Sequence, residues 1–399
     1  MPRVNPNILE WARRTAGYDL EEASRRIQLN EAWGVSGSER LALLESGDVE
    51  PSEALLGRMA KQYRRPLLTF YLPESPREAD VGEDFRTLPE RADPANAFLA
   101  ALLRDVKARQ SLARELLEDD EDSEANSLIG SQRMVVGVQA FAETVMRDIG
   151  FEREAFRGAR TVEEAFNYLR GQVEKAGVFV ILAGSLGSWQ TAIEVKVFRG
   201  FAIADPLAPL VVINDQDAKS AWSFTLLHEL AHLWLGASGV SGPTADAGIE
   251  QFCNEVAAVI LVPSAEIRLL AVQQDAGADQ LVRTITDFAD DRKVSRSMIA
   301  YQLFRSRRIT RAAWESLTER FHQDWMGLRN AQRQAAREGE GGPNWYVVRR
   351  HRIGNALLDL VRRGVSDGGV TPTRAAKILG VKPMAVYNLL YGAARPRAA

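Results

Sequence analysis

The stretch SFTLLHELAHLWLG, residues 223–236, decides how the rest of the chain is read. The 399-residue chain holds only four histidines, and two of them, His228 and His232, stand four apart here with Glu229 directly after the first. On an α-helix, residues four apart share one face, one turn above the other, so two imidazoles can point at a single ion. Zinc takes histidine nitrogens at about 2.0–2.1 Å, and hydrolytic sites keep one of four positions open for water. Glu229 projects about 100° round from His228. It reaches the water beside the ion rather than the ion itself, where a general base acts. The competing reading is an ordinary helix whose histidines are core or surface residues. With histidine this scarce, H-E-x-x-H arises by chance in such a chain only about a few times in a thousand. The flanks FTLL and LWLG make the helix apolar on several sides and therefore buried, and a buried Glu229 needs a partner that a metal site supplies.

A third ligand must come from another element. His322 and His351 fall in remote segments. Nearer is GIEQFCNEVAAVILVP, residues 248–263, in which Glu250 opens a helix and Asn254 follows four residues later on the same face. Glu250 is the expected third ligand, with Asn254 hydrogen-bonding a ligand histidine from outside the coordination shell. Asp246, in the loop SGPTADAG, and Glu255, about 100° off the Glu250 face, are the competing ligands. Glu250 can also be read simply as a charge favoured at a helix N-terminus. For an oxyanion donor the sequence offers only Tyr301 and His322.

Length and composition bound the rest. A chain of this size holds two or three domains. It is 46% hydrophobic and 26% charged, with a net charge of −3, so as a whole it does not mark nucleic acid or a membrane as its partner. A single cysteine, Cys253, rules out an internal disulfide and fits a reducing cytosol. The N-terminal residues lack a signal-peptide core, and the longest apolar runs, such as VAAVILVP, are too short to span a bilayer. The expectation is a cytoplasmic protein with no membrane association.

Along the chain, residues 1–76 read as short helices, with Asp19 as an N-cap and Gly17 and Gly47 as stops. DPANAFLAALLRDVKARQSLARELLEDD is a helical stretch that runs into the acidic linker EDDEDSEAN, within a 77–136 segment. Strands are expected in GVFVILAGSLG (177–187), TAIEVKVFRGFAIAD (191–205) and APLVVIND (208–215), bounded by turn residues. A helix from about Asp217 to Leu235 and another from Ile249 to Leu261 complete a segment over 137–270. Residues 271–340 return to helix. A tail over 341–399 follows the linker-like REGEGGP, and from residue 343 it carries 10 Lys/Arg against 2 Asp/Glu.

The stretches FTLLHELAHLWL and IEQFCNEVAAVILVP resemble the ImmA/IrrE family of bacterial zinc metallopeptidases. The second is similar to that family's E-x-x-A-N-x-F-A-A-x-L-L-M-P. Glu250, Asn254, Ala257, Ala258 and Pro263 match, whereas Cys253, Val256 and Val262 replace the usual Ala, Phe and Met. These departures are expected to alter packing, not ligation. The resemblance implies Zn2+ held by His228, His232 and Glu250, with Glu229 as catalytic base and Asn254 in support. It implies a minimal zincin, a small sheet beside the active-site helix. Residues 8–76 are similar to the Xre-type helix-turn-helix that precedes this domain in many members. The implied fold class is α+β and mostly helical: an N-terminal helix-turn-helix bundle, a central zincin and a helical tail. Relatives cleave Xre-type repressors of stress-response or mobile-element genes, or belong to toxin–antitoxin or phage-defence loci.

The tail itself reads as a helix-turn-helix. Thr371 caps a helix from Pro372 to Leu379, Gly380-Val381 turns, and a second helix follows from Pro383 to Leu390. Arg374, Lys377 and Lys382 are candidate phosphate contacts, and Tyr387 and Asn388 candidate base contacts. The N-terminal candidate recognition helix, SGSERLALLESG, pairs Arg40 with Glu39 and Glu45 and follows an insertion-like NEAWGVSG, which favours protein recognition over DNA. Helix-turn-helix proteins commonly pair, which makes a homodimer one expectation. The functional expectation is a zinc endopeptidase that cuts a regulatory protein, an Xre-type repressor or antitoxin, laid along an edge strand near FRGFAIAD. The alternative is a DNA-binding regulator or toxin–antitoxin partner whose zinc site is structural or idle.

Overall fold

Four strands form one sheet: β1 (Phe179–Leu182), β2 (Gly200–Ile203), β3 (Leu210–Ile213) and β4 (Gly239–Val240). β1 and β3 are the unbroken apolar runs FVIL and LVVI, buried at every residue, and they pair in parallel, Val180 opposite Val211. Strands covered on both faces read as continuous apolar runs rather than alternating ones. β2 is antiparallel to both β3 and β4, so the order is β1-β3-β2-β4. Two expectations change here. The first part of TAIEVKVFRGFAIAD is not strand, because a 3-10 turn at Trp189–Thr191 and a loop precede β2. FRGFAIAD is not an edge either, since β4, a two-residue strand with no apolar signature, covers Phe201 and Ala202.

The structure is a computed structural model and describes residues 3–75, 94–240, 247–272, 278–338 and 344–392. They divide into two units, Met1–Lys107 with Ser185–Phe198, and Ala108–Gly184 with Arg199–Ala399. The expected linker REGEGGP falls largely outside the described residues. No helix among those described is long and apolar enough to cross a membrane.

The first unit contains α1 (Pro6–Thr15), α2 (Leu20–Arg26), α3 (Gly37–Ser46), α4 (Glu53–Tyr63) and the start of α5 (Pro94–Glu118). Caps fix the short helices: the Asp19 side chain accepts from the Glu22 amide, Ser36 and Glu39 form a reciprocal capping box, and Gly47 closes α3 with φ 84°. Ile8, Ile27, Leu41, Met59 and Phe70 make its core. NEAWGVSG becomes a two-residue turn, with Trp33 and Gly34 both at positive φ between bridged Ala32 and Val35. Trp33 is 94% exposed at its tip.

The second unit is built from α6 (Val138–Ile149), α7 (Arg153–Arg157), α8 (Val162–Lys175), the sheet, α9 (Lys219–Leu235), α10 (Ala247–Leu261), α11 (Ser264–Leu269), α12 (Ala278–Asp291), α13 (Arg296–Arg305) and α14 (Arg311–Glu338). One core holds Phe141 of α6, Val211 of β3, Leu230 of α9, Val256 of α10, Ile299 of α13 and Phe321 of α14. Residues from the segments 137–270 and 271–340 thus share one core.

The tail, α15 (Trp345–Ile353), α16 (Asn355–Ser366), α17 (Pro372–Leu379) and α18 (Val386–Tyr391), belongs to the same unit. Its second motif helix opens with a 3-10 turn, Pro383–Ala385, which leaves α18 six residues long. The α15–α16 junction sits on β1. Arg170 of α8, paired with Glu174 at 3.2 Å, donates to the carbonyls of Val180 and His351, and Glu174 accepts from the Asn355 amide. Both partners are almost fully buried. Between α15 and α16, Gly354 has φ 90° and ψ 158°, a conformation open essentially to glycine alone. A Cβ there would strike Glu174 Oε1, Arg170 Nη2 and, at 2.7 Å, Val180 O. Gly354→Ala is therefore expected to destabilise this unit by about 3 kcal/mol. A urea midpoint equal to that of the wild type would show that the junction is not so constrained.

Candidate metal centre

α9 carries the histidine pair at the heart of the unit. Twelve of its residues are buried, from Trp222 to Trp234, and they include His228, Glu229 and His232. Its C-terminal end is set by Gly236 at φ 73°, whose amide donates to the His232 and Leu233 carbonyls. Trp234 Nε1 donates to Asp148 Oδ2 of α6 at 2.9 Å, which fixes the helix about its own axis. α10 packs along both α9 and α6.

That packing brings Glu250 to the histidines. His228 Nε2 lies 3.2 Å from His232 Nε2, and each lies 3.3 Å from a different Glu250 oxygen. Ligand bonds of about 2.0–2.1 Å to a tetrahedral ion set neighbouring donors about 3.3 Å apart. The two nitrogens stand at about that separation and the carboxylate turns one oxygen toward each, so two imidazoles and one carboxylate are gathered where they could hold a divalent cation. Among the described residues this is the one such cluster of three.

Of the competing ligands, Glu255 is engaged away from the cluster. Glu255 accepts from Arg305 at 2.6 Å and from Gln251 at 2.9 Å. Asp246 is outside the described residues. His351 rests on the Trp222 ring, and His322 on Trp325. Tyr301 packs on Trp314.

Asn254 is half-buried and makes no hydrogen bond to either histidine among the described residues. The fully buried Cys253 beside it also bears on the pair, as one of the neighbours that raise the His232 imidazole. Cys253 stands three residues after Glu250 on a helix, so both reach α9, a spacing that could have identified it.

Of the tail candidates, Lys377, Lys382 and Tyr387 are exposed. Arg374 is paired with Glu115 at 3.1 Å and approaches Asp119 at 3.9 Å. Asn388 Nδ2 donates to the Tyr346 hydroxyl at 3.2 Å, and its carbonyl accepts from Arg350. Arg349 donates to the Leu379 and Gly380 carbonyls at the end of α17.

A sheet beside a buried H-E-x-x-H helix, with a carboxylate delivered by the next helix, is the arrangement of a metallopeptidase-type centre. Residues 185–304 match the family model of the M78 peptidases, the IrrE N-terminal-like domain, and this stretch contains α9 and α10. The match supports the ImmA/IrrE resemblance and a peptidase-type, metal-dependent activity at the level of the family. Comparison with curated proteins and with solved structures gives no match.

The cluster has a defined proton balance. Burial pulls the His232 imidazole down, but hydrogen bonds to Cys253 and Glu250 and the Glu229 charge outweigh it and raise it from 6.5 to about 11. Burial pushes the Glu250 carboxyl up, but the two histidines hold it down at about 2. When no ion is bound, the His232 contribution to stability is complete below about 6.5 and is lost as pH rises through about 11. The Glu250 contribution is complete above about 4.5 and is lost as pH falls toward 2. At pH 7 His232 therefore carries a proton that a cation must displace. Titration of the metal-free protein with Zn2+ in weak buffer is expected to release close to one proton per ion, with apparent affinity rising about tenfold per pH unit. Release near zero would mean that His232 is already neutral.

Proposed function

We propose that the chain is a zinc-dependent endopeptidase that cleaves a regulatory protein of the Xre-type repressor or antitoxin class. The observation that carries this reading is the triangle of His228, His232 and Glu250, with Glu229 buried beside it. Two nitrogens and one carboxylate are a donor set suited to zinc, and a site with three protein ligands leaves a position for water. When bound, the ion supplies Lewis acidity for the scissile carbonyl and makes water acidic near neutral pH. Glu229 accepts the proton of the attacking water and passes it to the leaving amine nitrogen. A purely structural site has no use for this carboxylate, which favours the enzyme over the idle-site reading. The Glu229→Gln protein is expected to hold as much zinc as the wild type while cleaving a candidate repressor about 10²–10⁴-fold more slowly. Equal cleavage rates would overturn the mechanism.

The N-terminal unit, on this reading, is an Xre-like helix-turn-helix used for protein recognition. The outward residues of α3 are Glu39, Ala42, Leu43 and Ser46, and Arg40 is turned back onto the Asn30 carbonyl. A face without basic residues gains little from phosphates.

DNA contact is proposed for the tail alone, through Lys377, Lys382 and Tyr387. Deleting the tail would uncover buried surface of the same unit and so confuse binding with folding. Paired charge reversal, Lys377→Glu with Lys382→Glu, is expected to weaken duplex binding and to reduce the salt slope by about 2. An unchanged shift assay across salt concentrations would remove DNA from the proposal.

A further inference from the structure

β2 begins with a glycine that its backbone does not require. Gly200 is absent from the left-handed region, where glycines such as Gly236 and Gly354 are found, so an L-residue can adopt its conformation. Glycine in a strand costs stability, and it often marks a place where another group comes close. Here that group belongs to α9. A Cβ built on Gly200 would lie 2.7 Å from Glu229 Oε1, 3.0 Å from Glu229 Cγ and 2.7 Å from Thr225 Cγ2. Real Cβ atoms essentially never approach this closely. Thr225 stands one turn before Glu229, so α9 lays two successive turns against the bare backbone of β2. Glu229 is 1% exposed, so an added methyl group must shift its side chain within the packed interior.

We propose that Gly200 is a positioning residue for Glu229: the missing side chain on β2 is the space in which the carboxylate lies. The assignment rests on the reading of Glu229 as the base, and it adds a determinant outside both helices of the metal cluster. None of the three ligand side chains is among the atoms nearest to a Cβ at position 200. A methyl group there moves the base and leaves ligation alone. Displacing a catalytic group by about 1 Å costs on the order of 10²-fold in rate.

The test separates the base from its neighbour and from the enzymatic reading. Gly200→Ala is expected to bind zinc with wild-type stoichiometry while kcat for repressor cleavage falls about 10²-fold at little-changed KM. The Gly200→Ala/Thr225→Ser protein, which lacks the other methyl group that a Cβ at position 200 would meet, is expected to stay slow. Wild-type kcat in Gly200→Ala, recovery in the double variant, or loss of zinc would each overturn the proposal. A second measurement needs no substrate. Gly200→Ala is expected to lower the melting temperature by about 5 °C in the wild-type background and by clearly less in a Glu229→Ala background. Additive shifts would overturn the proposal even if the chain cleaves nothing, whereas non-additive shifts with no cleavage by the wild type would leave the contact standing and remove the peptidase reading. Should Gly200→Ala fail to fold, recovery of folding in Gly200→Ala/Glu229→Ala shows the same coupling, and failure of both variants overturns it.

Discussion

Two imidazoles and a carboxylate sit in the middle of a helix that water scarcely reaches, and most of the second unit is arranged to make that tolerable. An isolated buried charge costs several kcal/mol, so such groups must meet partners. α9 separates the two demands around its circumference. Leu226, Leu227, Leu230 and Leu233 enter the core, while His228 and His232 face Glu250 and Cys253 of α10. The two helices can lie this way only if the end of α9 is fixed, and Gly236 and the Trp234–Asp148 bond fix it. On its other side the helix meets β2 at a residue with no side chain. The chemistry of the site and the packing of the unit are thus one problem.

What the sequence disclosed and what it withheld follow from the range of the interactions. His228, Glu229 and His232 were legible because helical spacing alone fixes their relation. Glu250 was legible because it opens the next helix, and its choice over Glu255 needed three dimensions. β1 and β3 announced themselves as apolar runs and α17 by its Thr371 cap and Gly380 stop. β4 did not, since two residues held by pairing with Phe201 and Ala202 have no pattern of their own. Gly200 was equally silent, because its neighbours are 25 and 29 residues away in sequence. Cys253 is buried in the core as a packing residue, and its nearness to His232 shows only in three dimensions.

The tail shows the same limit for charge. Counted along the chain it is basic, but much of that charge is engaged within the protein. Arg349 and Arg350 are bonded to carbonyls at the ends of neighbouring helices, Arg352 to Asp215, Arg362 to Asp359 and Arg374 to Glu115. Guanidinium groups provide five donors in a fixed fork, so they serve well as clamps on helix ends. Arg352 and Arg362 keep more than a third of their side chains in solvent despite these bonds, and Arg363, Lys377 and Lys382 are exposed. A local excess of arginine is therefore a poor measure of the field a partner would meet.

The Arg170–Glu174 pair beneath Gly354 joins β1 to residues that follow it by some 170 positions. Synthesis proceeds from the N-terminus, so α9 and α10 leave the ribosome well before the segment that completes the β1 edge. In that interval the arginine and the glutamate are an ion pair with its lid missing, and the strand offers unpaired backbone to any passing chain. The nascent protein thus carries its whole candidate metal cluster while its sheet is still unsealed. The contacts that cover that edge come from the tail, not from the residues of the candidate metal cluster.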